Sequence, residues 1–149
     1  MVRWCEAVAL ICGLCAWIVS CDGSATGPLQ TITIEGRPLK VEVADTADKR
    51  GLGLMYREKL PKNRGMLFLY KVPTTSGFWM KNTKIPLSIA FIDENLRIIE
   101  IQDMRPLDLT PHRPSRPFKY ALEVNLGWFR ERGIGPGASV ELHFPSPKP

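Results

Sequence analysis

The sequence predicts a mainly β domain, a compact sandwich or barrel of seven or eight short strands with one or two short helices. Three observations carry that expectation. Apolar residues alternate with polar ones in short runs, as at Ile32 and Ile34 or Leu39, Val41 and Val43, which puts them on one face of a strand. Turn formers such as Glu35-Gly36-Arg37-Pro38, Asp93-Glu94-Asn95 and Gly135-Pro136-Gly137 punctuate those runs. Pro106, Pro111, Pro114 and Pro117 exclude a helix or inner strand between Arg105 and Phe118, leaving an extended basic surface loop with His112, Arg113 and Arg116.

The first element is an export segment. Arg3 is followed by an uncharged apolar stretch from Ala7 to Val19, too short for a bilayer span of about 20 residues. Ile18-Val19-Ser20-Cys21 resembles the lipobox of bacterial lipoproteins, which implies a diacylglyceryl group on the Cys21 sulfur and cleavage before it. Asp22 resembles the signal that keeps such lipoproteins on the inner membrane. Small and polar residues from Asp22 to Leu29 form a flexible leash. The expected division is a signal peptide over 1–20, a lipid-anchored linker over 21–29, the domain over 30–144 and a flexible tail over 145–149. The expected location is the periplasmic side of the cell membrane.

Arg3 and Glu6 are the only charged residues of the first twenty, so the formal charge of +5 belongs to the folded part. Acidic residues are scattered among the basic ones and the chain carries an export signal, so nucleic acid is not the expected partner. The partners expected are a membrane, through the lipid, and an unknown envelope ligand or protein. Cys12 and Cys15 form a Cys-x-x-Cys inside the apolar leader, where nothing stabilises a thiolate. Only Cys21 follows the leader, so no disulfide within the domain is possible and its apolar core must hold it.

Along the domain, the two alternating runs at Ile32–Ile34 and Leu39–Val43 read as an opening hairpin. Asp45 or Thr46 can cap a short helix through Arg50, which Gly51 and Gly53 weaken. Met66 to Tyr70 is apolar on both sides, like a fully buried strand. Trp79 and Met80 fall on a further strand, and Ile85, Leu87, Ile89 and Phe91 on a half-buried one that pairs in a hairpin with Leu96 to Ile101. Tyr120 to Val124 is a strand candidate, Gly127 to Arg132 a helical turn, and Ser139 to Phe144 the last strand.

Four blocks carry a resemblance. Arg50-Gly51-Leu52-Gly53-Leu54-Met55-Tyr56-Arg57, Gly65-Met66-Leu67-Phe68, Phe78-Trp79-Met80-Lys81-Asn82-Thr83, and Ala121-Leu122-Glu123-Val124-Asn125 with Gly127-Trp128 resemble, in order, the motif set of the family called domain of unknown function 192. The resemblance implies a compact jelly-roll-like β domain, often behind bacterial export signals, and no established activity. Ser88, Leu126 and Ala138 depart from its pattern, where Asp, Ala and Asp are usual.

The candidate ligand-binding residues are Arg57, Trp79, Met80, Lys81, Asn82, Thr83, Glu123, Asn125 and Trp128. Glu123 and Asn125 lie two apart and share a face, so neighbouring strands would gather five polar groups beside Trp79 and Trp128 into a pocket. The competing expectation is structural: these groups satisfy turns and bury a salt bridge such as Lys81 with Glu123. His112 and His143 have no metal-ligand spacing, and no nucleophile, base and orienting group stand together, so no catalytic residue, metal or cofactor is assigned. A non-catalytic binding or scaffold domain tethered to the periplasmic face of a membrane fits this pattern. The alternatives are a small enzyme using Lys81 and Glu123, and a copper-binding protein using Met55, Met66, Met80 and Met104, since thioethers suit Cu(I).

Overall fold

The computed structural model describes residues 28–145. The expected signal peptide over 1–20, Cys21, the linker up to residue 27 and the tail from residue 146 lie outside the described residues. The described part is one seven-stranded sheet with a single α-helix and a 3-10 turn.

Strand β1 (Gln30–Ile34) and strand β2 (Arg37–Ala44) form the expected hairpin, with Ile32 opposite Leu39. Glu35 and Gly36 turn it with φ of 47° and 74°, the left-handed pair whose twist matches the flanking strands. Helix α1 (Ala47–Leu52) follows, capped by Thr46, whose hydroxyl accepts the Lys49 N–H at 3.2 Å. Asp45, the other cap candidate, instead accepts from Lys49 Nζ at 2.7 Å. Gly53, at φ 50°, stops the helix.

Strand β3 (Arg64–Thr74) runs parallel to β2, with Val43 opposite Leu67, because α1 and the loop behind it carry the chain back before it re-enters the sheet. Strands β4 (Leu87–Ile92), β5 (Ile98–Met104), β6 (Phe118–Asn125) and β7 (Val140–Leu142) complete the order β5-β4-β6-β3-β2-β1-β7, and every other pairing is antiparallel. The 3-10 turn spans Arg130–Arg132.

The sheet curls until its edges meet. Arg97, just before β5, bridges to Ser139, just before β7; Ile98 N–H donates to the Ala138 carbonyl at 3.0 Å and Val140 N–H to the Leu96 carbonyl at 2.9 Å.

Each face has its own core. Ile32, Leu39, Leu67, Leu122, Val124 and Phe129 pack on the enclosed face. On the other, Phe78 stacks edge-on against Phe68 at 5.0 Å and Phe91 at 5.8 Å, joined by Met80, Met104 and Phe118. Two expectations are corrected here. Strand β4 is buried at all six positions rather than half-buried, because β5 and β6 flank it and both cores cover its faces. Phe78, Trp79 and Met80 do not make a strand: only Phe78 bridges, to His112, so the segment crosses the outer core as an extended connection held by the proline-rich loop.

Candidate functional site

Alternation along β6 turns Leu122 and Val124 inward and leaves Glu123 on the outer face beside Ala121. Its strand neighbours there are Met66 on β3 and Ile89 on β4, neither able to hydrogen-bond it well. Glu123 is only 5 % exposed, and no described residue pairs with its carboxyl group. Burial pushes its pKa up to about 8, so it is mostly a neutral acid at pH 7.

Glu123 lines a cleft of about 330 Å³ with Arg50, Gly53, Tyr70, Phe78 and Trp79 among its walls. Gly53 leaves the wall open, since a Cβ there would stand 3.4 Å from Phe68 Cζ at a φ unfavourable for other residues. The Arg50 guanidinium lies over the Tyr70 ring at 4.8 Å, anchored by Nη1 to the carbonyls of Asp45 and Leu69 at 3.0 and 2.9 Å. Desolvation raises the Tyr70 pKa most, the Arg50 guanidinium lowers it, and the Glu123 carboxyl, once ionised, raises it. Tyr70 thus feels both Arg50 and Glu123, while burial alone acts on Glu123.

The nine residues nominated from sequence do not all converge. Trp79, Thr83 and Glu123 line the cleft, Thr83 with its hydroxyl donated to the Lys81 carbonyl. Lys81 makes no salt bridge with Glu123, which corrects that expectation; its ammonium lies 5.2 Å from the centre of the exposed Trp79 ring. Asn82, at φ 55°, donates to the Tyr56 hydroxyl at 2.9 Å. Met80 is core. Asn125 ties down a loop by donating to the Leu60 and Pro61 carbonyls. Trp128 is buried in the other core, donates to Asn63 and carries Arg132 over its ring at 4.4 Å.

Arg57 belongs to a second, larger cleft of about 520 Å³ at the β2 end of α1. There it is spent on Glu42 through two hydrogen bonds, and that pairing is the main cause of its raised pKa. A charge pair closed on itself offers a ligand less than the open acid at Glu123, so the smaller cleft is the better candidate. Arg50, Tyr70 and Phe78 were not nominated from sequence. Their signal was position: Arg50 opens the first motif block and Phe78 the third, while Tyr70 looked like the end of an apolar strand.

Among the described residues no helix is long and apolar enough to cross a membrane, and no three His, Cys, Asp or Glu side chains are grouped to hold a metal ion. Three of the four methionines of the copper alternative, Met66, Met80 and Met104, are buried in the outer core.

Comparison with known proteins agrees with this architecture. Residues 30–142 match the model of the family DUF192, described as uncharacterized ACR. A solved protein of unknown function from Novosphingobium aromaticivorans is 36 % identical, with a TM-score of 0.73 over 76 % of this chain and 84 % of that one. A structure from Sinorhizobium meliloti, designated a candidate transcription regulator, is 31 % identical with a TM-score of 0.76, over 80 % of this chain and 98 % of that one. Among curated proteins, none matches.

Proposed function

The chain belongs to the DUF192 family, and from the cleft that its motif blocks build we propose that it is a non-catalytic binding domain whose ligand sits against Glu123. One observation carries this reading. Arg50 to Met55, Phe68, Phe78 with Trp79, and Glu123 come from the four separate blocks of the resemblance, and all line one cleft around an acid that nothing in the described chain satisfies. The Glu123 carboxyl makes no hydrogen bond to any described residue and lines the cleft, so a ligand can reach it without displacing a protein partner. The leader and Cys21 support a lipid tether that holds the domain at the periplasmic face of a membrane.

A second reading is a small enzyme, favoured by the pKa of Glu123, which suits a general acid or base near neutrality. It lacks the partner expected for it, because Lys81 is turned onto Trp79.

A fragment screen by NMR on the full-length protein in detergent tests the binding reading. It expects shifts centred on Gly53, Tyr70 and Trp79, removed by Glu123→Leu. Turnover of any fragment, abolished by Glu123→Ala in a variant that still folds, would replace the reading with the enzymatic one.

A further inference from the structure

We propose that the Glu123 cleft takes a small organic carboxylate, its anionic oxygens hydrogen-bonded by Arg50, Tyr70 and Glu123 and its apolar body held against Phe78 and Trp79. This rests on the binding reading above and names the class of ligand.

The unspent hydrogen-bonding groups of the cleft are mainly donors. Arg50 uses Nη1 on two backbone carbonyls, whereas its Nη2 and Nε make no hydrogen bond to any described residue. The Tyr70 hydroxyl, from β3, makes none either. Glu123, neutral at pH 7, offers a third O–H. A ligand that matches three donors must bring acceptors, and a carboxylate brings two oxygens with about four lone-pair sites.

Charge selects in the same direction. Arg50 is the one ionised side chain lining the cleft while Glu123 holds its proton, and Lys81 adds a second cation over Trp79. A cationic ligand would meet both and would first have to strip the proton from Glu123. Aromatic walls on Phe68, Phe78 and Trp79 favour a flat or hydrocarbon body over a hydrated inorganic anion. The cleft volume of about 330 Å³ accommodates a ligand of phenylacetate size.

The protonation requirement makes the idea testable. The titratable groups facing Glu123 in the cleft are Arg50 from α1 and Tyr70 from β3; β4 contributes Ile89. Burial raises the Tyr70 hydroxyl above its ordinary value, away from the range near pH 8 where Glu123 titrates.

Three probes of one shape and different charge, phenylacetate, phenylacetamide and phenethylammonium, are titrated into the full-length protein in detergent by NMR. Phenylacetate should bind at least about tenfold more tightly than the other two. Its Kd should rise about tenfold per pH unit above about pH 8, as Glu123 ionises and repels it. Glu123→Gln keeps a donor and should bind with a flat profile through that range; Arg50→Lys should weaken phenylacetate more than phenylacetamide. Tighter binding of the amide or the ammonium at Gly53 and Trp79 would overturn the carboxylate and leave the cleft as a binding site. No shift at those residues with any probe up to about 10 mM would take the binding reading down with it.

Discussion

Arg57 grips Glu42 through two parallel hydrogen bonds, Nη1 to Oε1 at 2.5 Å and Nη2 to Oε2 at 2.8 Å, while Glu123 on the same side of the sheet is left without a cation. The contrast separates the two clefts: one acid is neutralised by its own chain and the other makes no hydrogen bond to any described residue.

Breaking the Glu42 pair should cost stability rather than ligand binding. With the two side chains 21 % and 10 % exposed, Arg57→Met strands a largely desolvated carboxylate and should cost about 2–3 kcal/mol. Adding Glu42→Met should recover most of that loss in urea denaturation. If the single variant loses nothing, the pair is only a surface contact.

Glu123 should make the fold weaker as pH rises. Its pKa goes from 4.5 to about 8 on folding, so between those values the folded state binds more protons than the unfolded state and stability declines. The slope approaches about 1 kcal/mol per pH unit, and the effect is complete above pH 8. Glu123→Gln removes this dependence, so its advantage over the native protein should widen from about pH 5 to pH 8 in denaturation curves. An advantage that shrinks over that range would contradict a neutral buried acid.

Gly65 should not tolerate a side chain. A Cβ there would stand 2.6 Å from the backbone carbonyl oxygen of Glu123 and 3.0 Å from Val124 Cγ1, so Gly65→Ala must push β3 away from β6. A loss of about 1–3 kcal/mol is expected in thermal denaturation. Because the shift moves Glu123, probe binding at the cleft should weaken as well.

Lys81→Ala should change stability by less than about 0.5 kcal/mol, since it removes an exposed contact with Trp79 and no salt bridge. A loss of several kcal/mol would revive a buried pair between Lys81 and Glu123.

Cys21→Ala should release the protein from the membrane fraction or leave it unprocessed, with a changed mobility. Membrane retention with unchanged mobility would count against the lipid anchor.

How much of this was legible in the sequence depends on range. The opening hairpin was readable because Ile32, Ile34, Leu39 and Val41 repeat every second residue around a two-residue turn, a purely local signal. The parallel pairing of β2 with β3 was not, because the apolar run from Met66 to Leu69 reads the same in either direction. The double burial of β4 was hidden for a related reason: Ser88 and Ala90 look like a solvent face until β5 and β6 are known to flank them. Ser88 is in fact fully engaged, donating to Asp103 at 2.6 Å and accepting the Gly127 N–H at 2.9 Å.

The site was half visible. Glu123 and Trp79 stood out by residue type beside apolar neighbours, and the structure brings them to one cleft. Which basic residue served which acid was beyond reach, because Arg57 and Glu42 meet only once β2 and the loop after α1 are packed. Charge alone suggested Lys81 for Glu123, and the chain direction at Asn82, with its φ of 55°, sends that lysine elsewhere.

The most direct test is a 13C NMR titration of the Glu123 side-chain carboxyl in the full-length protein. A midpoint near pH 8 that climbs further when phenylacetate is added is the predicted result. A midpoint near 4.5, unmoved by any probe, would mean that this carboxyl is hydrated or paired and that the cleft holds no waiting acid.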